Sequence, residues 1–417
     1  MPVPLKPRPR PPVLSGTRER KAAKATCLVG NVTSGVKELA PGSVRFLRIA
    51  EPVPWPYDNE IGGQRYEPDA KSTGVNWTPV RTIGTVPVER DGSAYFRVPA
   101  DTGLHFQALD AQRMELRRMR SDVSFQPGEV RGCTGCHETR GEAPAPPAGT
   151  PLALRRGPSS PVPPPWGDQP LSFLRDIQPV LNRRCVSCHS GLKPTGGLSL
   201  SPGLTQEHNR AYDSLLDPGR GLLAVSSKGD DARVTEVRAL GAQASRLFEV
   251  LRTTHRDRCA LADGDWQRLY TWADANAVYH DDFIRKRPAS ATPYSLVSDQ
   301  APWQRIGAIH ERRCASCHSG EALARPDWVN LDNPARSVFL SAPLPGGKTP
   351  NGKHCAPTVY PDAGDPDYVS VLSLLQEAAR KTWERPRRDL RCLAREPRLR
   401  PSVFGAVGLP EDAASGP

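Results

Sequence analysis

Hydrophobic positions follow one period before a proline-rich stretch and another after it. From Cys27 to about Phe125 they come in short runs with partial alternation. Val44, Phe46, Leu47 and Ile49 mark one strand. Thr82–Val88 marks a second, interrupted by Gly84 and Pro87. Ala94–Val98 and Leu104–Leu109 are the clearest, because aromatic and β-branched side chains suit a pleated surface. Asp91-Gly92 is a turn dipeptide between them. Short strands at this spacing predict a small sandwich or barrel. Beyond Trp166 the period lengthens to that of a helix. Leu171, Leu174, Ile177, Val180 and Leu181 form one apolar face, with Pro179 as a local distortion. Leu247, Phe248, Val250 and Leu251 form another. Trp266, Leu269, Tyr270 and Trp272 form a third, with Asp263 as N-cap. Trp303, Ile306 and Ile309 begin a further helix, and Tyr368–Leu375 is the last.

Composition turns this pattern into a domain plan. The 417 residues include 45 Pro and 35 Gly, and only 37% are hydrophobic. That disfavours a doubly wound enzyme with a long apolar parallel sheet. The longest apolar runs, such as Val369–Leu375, fall well short of the ~20 residues of a spanning helix. Small modules joined by Pro-rich segments fit better. The plan is a disordered basic tail (1–25) and a β-rich domain (26–140). A polyproline-type linker (141–168) follows. Two mainly α modules (169–290 and 291–395) and a tail (396–417) complete it. The fold class is α+β and multidomain.

Six of the ten cysteines fall into one repeated pattern: Cys133-Thr-Gly-Cys136-His137, Cys185-Val-Ser-Cys188-His189 and Cys314-Ala-Ser-Cys317-His318. CxxCH is the attachment motif of c-type haem. Two thiols three positions apart lie on one side of a helical turn, where each can form a thioether to a porphyrin vinyl group. The adjacent histidine then lies under the iron. Ten Cys and nine His in 417 residues make even one such pentapeptide rare by chance. A zinc ribbon sets its CxxC halves roughly 15–20 residues apart, far closer than these motifs. A thioredoxin-like pair does not need the histidine. Cys185–Gly191 and Cys314–Gly320 differ at one position, an internal repeat of a helix feeding a haem motif.

The sixth iron positions are open to argument. With Met1, Met114 and Met119 the only methionines, His/Met ligation reaches the second and third haems only if Met114 or Met119 crosses the linker. Bis-His ligation, suited to electron transfer, or an open position, suited to catalysis, remains. His255 and His280 each follow an amphipathic helix and are candidate distal ligands. His310 lies one turn before Cys314 and flanks that haem. His354 adjoins Cys355 in a loop, and His105 sits within a strand. Cys27, Cys259, Cys355 and Cys392 are left over. They form disulfides, with Cys355–Cys392 the nearest pair in sequence, or act as small apolar residues.

Covalent haem attachment of this kind and stable disulfides both belong outside the cytoplasm, so a periplasmic or secreted location is expected. The N-terminus, Met1-Pro-Val-Pro-Leu-Lys-Pro-Arg-Pro-Arg10, lacks the apolar segment of a signal peptide. Either a start further upstream or a longer chain of which this is a fragment reconciles the two. Lys and Arg number 56 against 45 Asp and Glu, a net charge of +11. Clusters such as Arg117, Arg118 and Arg120, or Arg385, Arg387 and Arg388, read as solvated faces or as steering for an acidic redox partner. No interleaved stacking aromatics support nucleic-acid binding.

Several blocks of the chain, in order, resemble a known family. They are Gly42–Val53, Ile83–Ala100, Phe106–Asp110 and Gln126–His137, then Arg175–Leu181, Leu269–Asn276, Cys314–His318, Trp328–Leu331 and Asp365–Tyr368. Together they are similar to the middle and haem-bearing regions of the hydrazine synthase alpha subunit and its multihaem relatives, over roughly residues 26–390. The resemblance implies a β-propeller before this region and c-type haem modules after it. In that family the first haem is catalytic: its motif histidine binds zinc, and a tyrosine four positions later ligates the iron. Here Gly141 occupies that place, and no tyrosine lies between Cys133 and Trp166. Hydrazine synthesis is therefore not carried over, and His137 is expected to ligate its own haem. The reading is an electron-transfer cytochrome with three covalent haem c groups. Its rivals are an oxidoreductase acting on a small nitrogen compound at an open first haem and a zinc-binding interaction module.

Overall fold

The computed structural model describes residues 21–53, 66–67, 80–119, 121–135, 149–190, 194–205, 208–225, 236–281, 284–285, 294–296, 299–318, 328–347, 355 and 358–384. Its strands are β1 (Lys24–Val29), β2 (Phe46–Pro52), β3 (Tyr66–Glu67), β4 (Val80–Pro87), β5 (Ala94–Pro99), β6 (Gly103–Leu109), β7 (Glu115–Arg118), β8 (Val123–Ser124), β9 (Val130–Cys133) and β10 (Ile284–Arg285). Its α-helices are α1 (Gln178–Arg184), α2 (Arg210–Leu215), α3 (Gly241–Ala244), α4 (Arg246–Arg252), α5 (Asp263–Asp274), α6 (Gln300–Arg313), α7 (Val338–Ser341) and α8 (Pro366–Glu384). The chain is thus α+β, with its strands concentrated toward the N-terminus.

Two sheets face each other across one core. The first has the order β5-β1-β9 and the second β4-β2-β6-β7, with β8 pairing to β6. Alternate residues of β1, including Cys27 and Val29, point inward with Phe96 and Val98 of β5. They meet Leu47, Ile49, Val86 and Leu104 from the second sheet. Phe96 and Phe106 pack edge to face at 5.8 Å, a favoured aromatic geometry. β4 runs through Gly84 rather than breaking there. A Cβ on Gly84 would lie 2.5 Å from the Val162 carbonyl oxygen, so the strand stays continuous only because this residue has no side chain.

That carbonyl belongs to the Pro-rich stretch. Its described part, 149–168, straps the sheets rather than spanning free space. Thr85 and Val162 exchange backbone hydrogen bonds at 3.0 and 2.9 Å. The Arg97 amide donates to Ser159 at 2.9 Å, and the Ser159 amide donates to Tyr95 at 2.9 Å. Extended proline-rich backbone keeps its carbonyls free for such bonds, and Ser159 and Val162 supply the donors the prolines lack.

The helical part opens with a π-helical turn over Phe173–Ile177, followed by α1. Pro179 lies in the first turn of α1, where a missing N–H costs nothing. It starts the helix rather than distorting it. Phe173, Tyr212, Phe248, Trp272 and Tyr279 fill a second core. Two of its polar tips are satisfied by backbone carbonyls: Trp272 Nε1 donates to Val278 at 2.8 Å, and the Tyr212 hydroxyl donates to Ala277 at 2.9 Å. Ala262 is the N-cap of α5, and Asp263 is its first helical residue, where a carboxylate complements the positive helix end. A third core joins Ile306 and Ile309 of α6 to Val371, Leu375 and Ala378 of α8. The last helix runs past the predicted Leu375 because Ala378 and Ala379 continue its buried face. No helix among the described residues is long and apolar enough to cross a membrane.

A buried ionic cluster joins the sheets to the helical part. Arg48 Nη1 donates to Asp274 at 2.9 Å and to Gln107 at 3.0 Å. Asp274 also accepts from the Ala242 amide at 2.8 Å and the Glu115 amide at 3.2 Å. Glu115 pairs with Arg118. Arg118 is therefore buried, not part of a solvated basic face. Burial raises Glu115 to about 7; Arg118 opposes the rise and Asp274 adds to it. Burial, with Arg118 and Arg48 nearby, holds His105 down at about 4.

Candidate haem-attachment sites

The second and third motifs are built alike, each on the C-terminal end of an apolar-faced helix. The amides of Cys185 and Val186 donate to Leu181, at 2.8 and 3.0 Å. Those of Cys188 and His189 turn back onto Cys185, at 3.1 and 2.9 Å. In the third, Cys314 and Ala315 donate to His310 at 2.7 and 3.1 Å, and Cys317 and His318 donate to Cys314 at 3.0 and 2.8 Å. The helix period thus carries past its end for one turn, with the two cysteines three positions apart. In both motifs the second cysteine is exposed and the first is more enclosed. Burial, with Cys259 alongside, pushes the Cys185 thiol up to about 12. Burial, with Cys355 nearby, pushes Cys314 up to about 11.

His189 has a defined orientation. Its Nδ1 lies 3.2 Å from the Leu198 carbonyl. A carbonyl only accepts, so that nitrogen carries the proton and Nε2 keeps its lone pair. His255, in the turn after α4, faces it. The two ring centres are 6.1 Å apart and the ring planes are 28° from parallel. The Thr254 hydroxyl lies 3.0 Å from His255 Nδ1, so Nδ1 of each ring is engaged. Burial, then proximity to His189, lowers the His255 pKa. His280 is buried against Tyr279, with ring centres 4.8 Å apart in a T-shaped contact. The structure thus brings His255 to the second motif and places His280 beside the aromatic core.

In the third site His318 packs edge-on to Trp328 at 5.8 Å. His310 is 1% exposed, and its Nε2 has no hydrogen-bond partner. Its ring lies 6.2 Å from Phe339, and burial, reinforced by His318, lowers its pKa. His354 lies outside the described residues.

In the first motif Cys133 ends β9, while Cys136 and His137 lie outside the described residues. β9 pairs in parallel with β1, placing Val29 opposite Cys133. Gly135 is required here: a Cβ would stand 2.4 Å from the Ser34 carbonyl oxygen. Cys27 Sγ is 4.0 Å from Cys133 Sγ. The hydrogen bond from Cys27 holds Cys133 down at about 7.

The leftover cysteines are placed by tertiary structure. Cys27 stands beside Cys133, Cys259 beside Cys185, and Cys355 near Cys314 and Cys317. Cys392 lies outside the described residues. No spacing rule pairs these positions, so sequence reasoning could not find them. It also passed over Thr254, whose role appears only once His255 is placed. Met114 does cross from the sheets into the helical core, where its sulfur accepts from Arg252 at 3.2 Å. Among the described residues, no three His, Cys, Asp or Glu side chains gather to hold a bare metal ion. A groove of about 750 Å³ opens beside Cys259, with Arg113, Arg252 and Arg256 along it and Trp266 and Tyr270 in its wall.

Comparison with known proteins places these features in context. Residues 42–138 match the family model described as the hydrazine synthase alpha subunit middle domain. That segment covers most of the two sheets and the first motif. Hydrazine synthase subunit alpha of Kuenenia stuttgartiensis is 27% identical over 244 residues, covering 46% of this chain and 29% of that protein. The solved structure of Kuenenia stuttgartiensis hydrazine synthase aligns with 18% identity and a TM-score of 0.45, covering 64% of this chain and 44% of that one. The chain therefore spans less than a third of the curated relative and less than half of the solved one. Over residues 42–138, this chain resembles the middle domain of the hydrazine synthase alpha subunit.

Proposed function

We propose that this chain is a multihaem c-type cytochrome that transfers electrons. Haem c would be attached at Cys133 and Cys136, Cys185 and Cys188, and Cys314 and Cys317. His137, His189 and His318 would be the proximal ligands. The observation that carries the reading is the facing pair His189 and His255. Two imidazoles that share one metal through Nε2, at about 2 Å each, hold their ring centres about 6 Å apart. The separation here is 6.1 Å. The Nδ1 atoms are engaged by Leu198 and Thr254, the kind of support that orients ligating histidines. A porphyrin supplies the remaining four iron ligands, so two histidines suffice where a bare ion would need more.

Haem supplies one-electron chemistry when bound. This chain's residues would do the rest. Cys185 and Cys188 would hold the haem covalently, and His189 and His255 would be its protein ligands. Phe248 and Tyr270 pack edge to face at 5.0 Å in the neighbouring core. With both histidines engaged in this way, the site would suit electron transfer rather than binding of a substrate. Maturation would take place in the periplasm or after secretion. The arginines of the groove beside Cys259 offer an acidic redox partner a docking place near the second haem.

The test is expression with the c-type maturation system, followed by intact mass and a pyridine haemochrome spectrum. Three added haems are expected, and a protein carrying none would overturn the proposal. His255→Ala should open the second haem to carbon monoxide in the reduced protein, whereas the unsubstituted second haem should not bind it. Equal binding by both would remove His255 as a ligand.

A further inference from the structure

The turn between β6 and β7 meets α4, α5 and the segment joining those two helices around the groove of about 750 Å³. Ligand pockets commonly hold about 300–1,000 Å³ and favour seams between structural parts. This groove lies on such a seam, between the sheets and the helical part. Along it stand Arg113, Arg252 and Arg256, against a single carboxylate among the described residues, Asp263. Arg113 is held from several sides. Its backbone is left-handed, at φ 66°, and its carbonyl accepts from Arg48 Nη2 at 3.1 Å. Its guanidinium donates to Gln267 at 3.2 Å and lies 5.1 Å from the centre of the Phe46 ring. Arg252 donates to the Phe248 carbonyl at 3.1 Å and to the Met114 sulfur at 3.2 Å, and a thioether is a weak acceptor. Arg256 is exposed. None of the three forms an ion pair with a carboxylate among the described residues. The wall adds flat apolar surface. Trp266 and Tyr270 lie one turn apart on α5 and stack at 5.2 Å, with ring planes 29° from parallel. Trp266 stays half-buried. Burial pushes the Tyr270 hydroxyl up to about 12, so it remains neutral and adds no negative charge.

We propose that this groove binds a small ligand made of a planar aromatic ring and a phosphate or carboxylate group. The ring would stack on Trp266, and the guanidinium groups would hold the anion through charge-assisted hydrogen bonds. Arg113 is already ordered by Gln267 and Phe46, which lowers the entropy cost of binding. An acidic protein surface would match the arginines and leave the concave aromatic wall unfilled. A bare anion would do the same. A flat anion of small size uses both the charge and the shape. The site goes beyond the haem reading and does not depend on it.

Flavin mononucleotide is the probe, measured by titration calorimetry on the full chain. Riboflavin, which lacks the phosphate, and inorganic phosphate, which lacks the ring, are its two halves. Flavin mononucleotide should bind at least about 10-fold more tightly than either half. Arg256→Gln should weaken it by about 10-fold, and added salt should weaken the parent more than this variant. Trp266→Leu should cost a similar factor. Trp266 also packs against the helical core, so the exposed Arg256 carries the test should that variant fail to fold. Arg305→Gln, on α6 and outside the groove, should change nothing. A naphthalene dicarboxylate that binds more tightly than flavin mononucleotide would support the site and name its anion as a carboxylate. Riboflavin or phosphate binding as tightly as flavin mononucleotide would overturn the proposal. So would no binding of either aromatic anion, or binding unchanged by both Arg252→Gln and Arg256→Gln. Binding to the haem-free chain that vanishes on haem attachment would assign the groove to the haem and overturn the proposal as well. A chain that takes up no haem and still binds flavin mononucleotide would sink the haem reading and leave this one standing.

Discussion

Glu115 is the sharpest test of the buried cluster between the sheets and the helical part. Its carboxyl is fully enclosed and raised to about 7, chiefly by burial. An unfolded glutamate titrates near 4.3. Between those two values the folded chain keeps a proton that the unfolded chain has released, so this group's contribution to stability falls as pH rises. A shift of that size is worth about 3 kcal/mol once pH passes 7. Glu115→Gln removes the titration while keeping the shape. His105 complicates the absolute curve, because it is held at about 4 in the folded state. Its unfolded form takes up a proton below about 6.5, so its contribution is lost as pH falls through that range. The two trends oppose each other, and only the difference between variant and parent isolates Glu115. Urea unfolding followed by tryptophan fluorescence, from pH 4.5 to 7.5, gives that difference. The variant should gain about 3 kcal/mol on the parent between the two ends. A difference constant to within about 1 kcal/mol would refute the placement of a protonated Glu115 in this cluster.

The same cluster predicts that Asp274→Ala, which strands the Arg48 guanidinium and the Ala242 amide, costs about 3–5 kcal/mol in the same unfolding assay. Gly135→Ala sets a methyl group against the Ser34 carbonyl. Intact mass should show the first haem lost and the other two kept. Thr254→Val removes the hydroxyl beside His255 Nδ1. It should weaken ligation at the second haem by roughly 10-fold or more, read as partial carbon monoxide binding with Cys185 and Cys188 still modified.

What the sequence made legible was local. Strands β5 and β6 follow alternation, and α1, α4, α5 and α6 follow the helical period. The repeated helix-plus-motif unit was visible because identical turns need identical residues. What stayed hidden depends on pairing across distance. β1 and β9 carry no marked alternation of their own; β1 becomes a strand against β5, and β9 against β1. The proline-rich stretch looked like a spacer because proline content reports backbone shape, not which carbonyls find donors. Asp263 lies one position inside the helix rather than at its N-cap, the usual uncertainty of helix ends, whereas Pro179 falls in the first turn of α1 because Phe173–Ile177 ahead of it is π-helical. His255 was named beside His280 with nothing to separate them. The structure sets His255 within 6.1 Å of His189 and His280 against Tyr279, positions that no spacing rule reaches.

The parallel pairing of β1 with β9 also sets an order of events. Cys27 and Cys133 are 106 residues apart, and closing so long a loop is slow compared with completing a helix end. The second and third motifs need only α1 or α6 and one further turn, so they take shape while the chain is still largely open. The first waits until β1, β5 and the strands between them have assembled, and only then does β9 add at the edge. During folding, the first motif is thus the last of the three to be enclosed, and its cysteines have the longest time in solvent to meet an oxidant, a reductant or a haem.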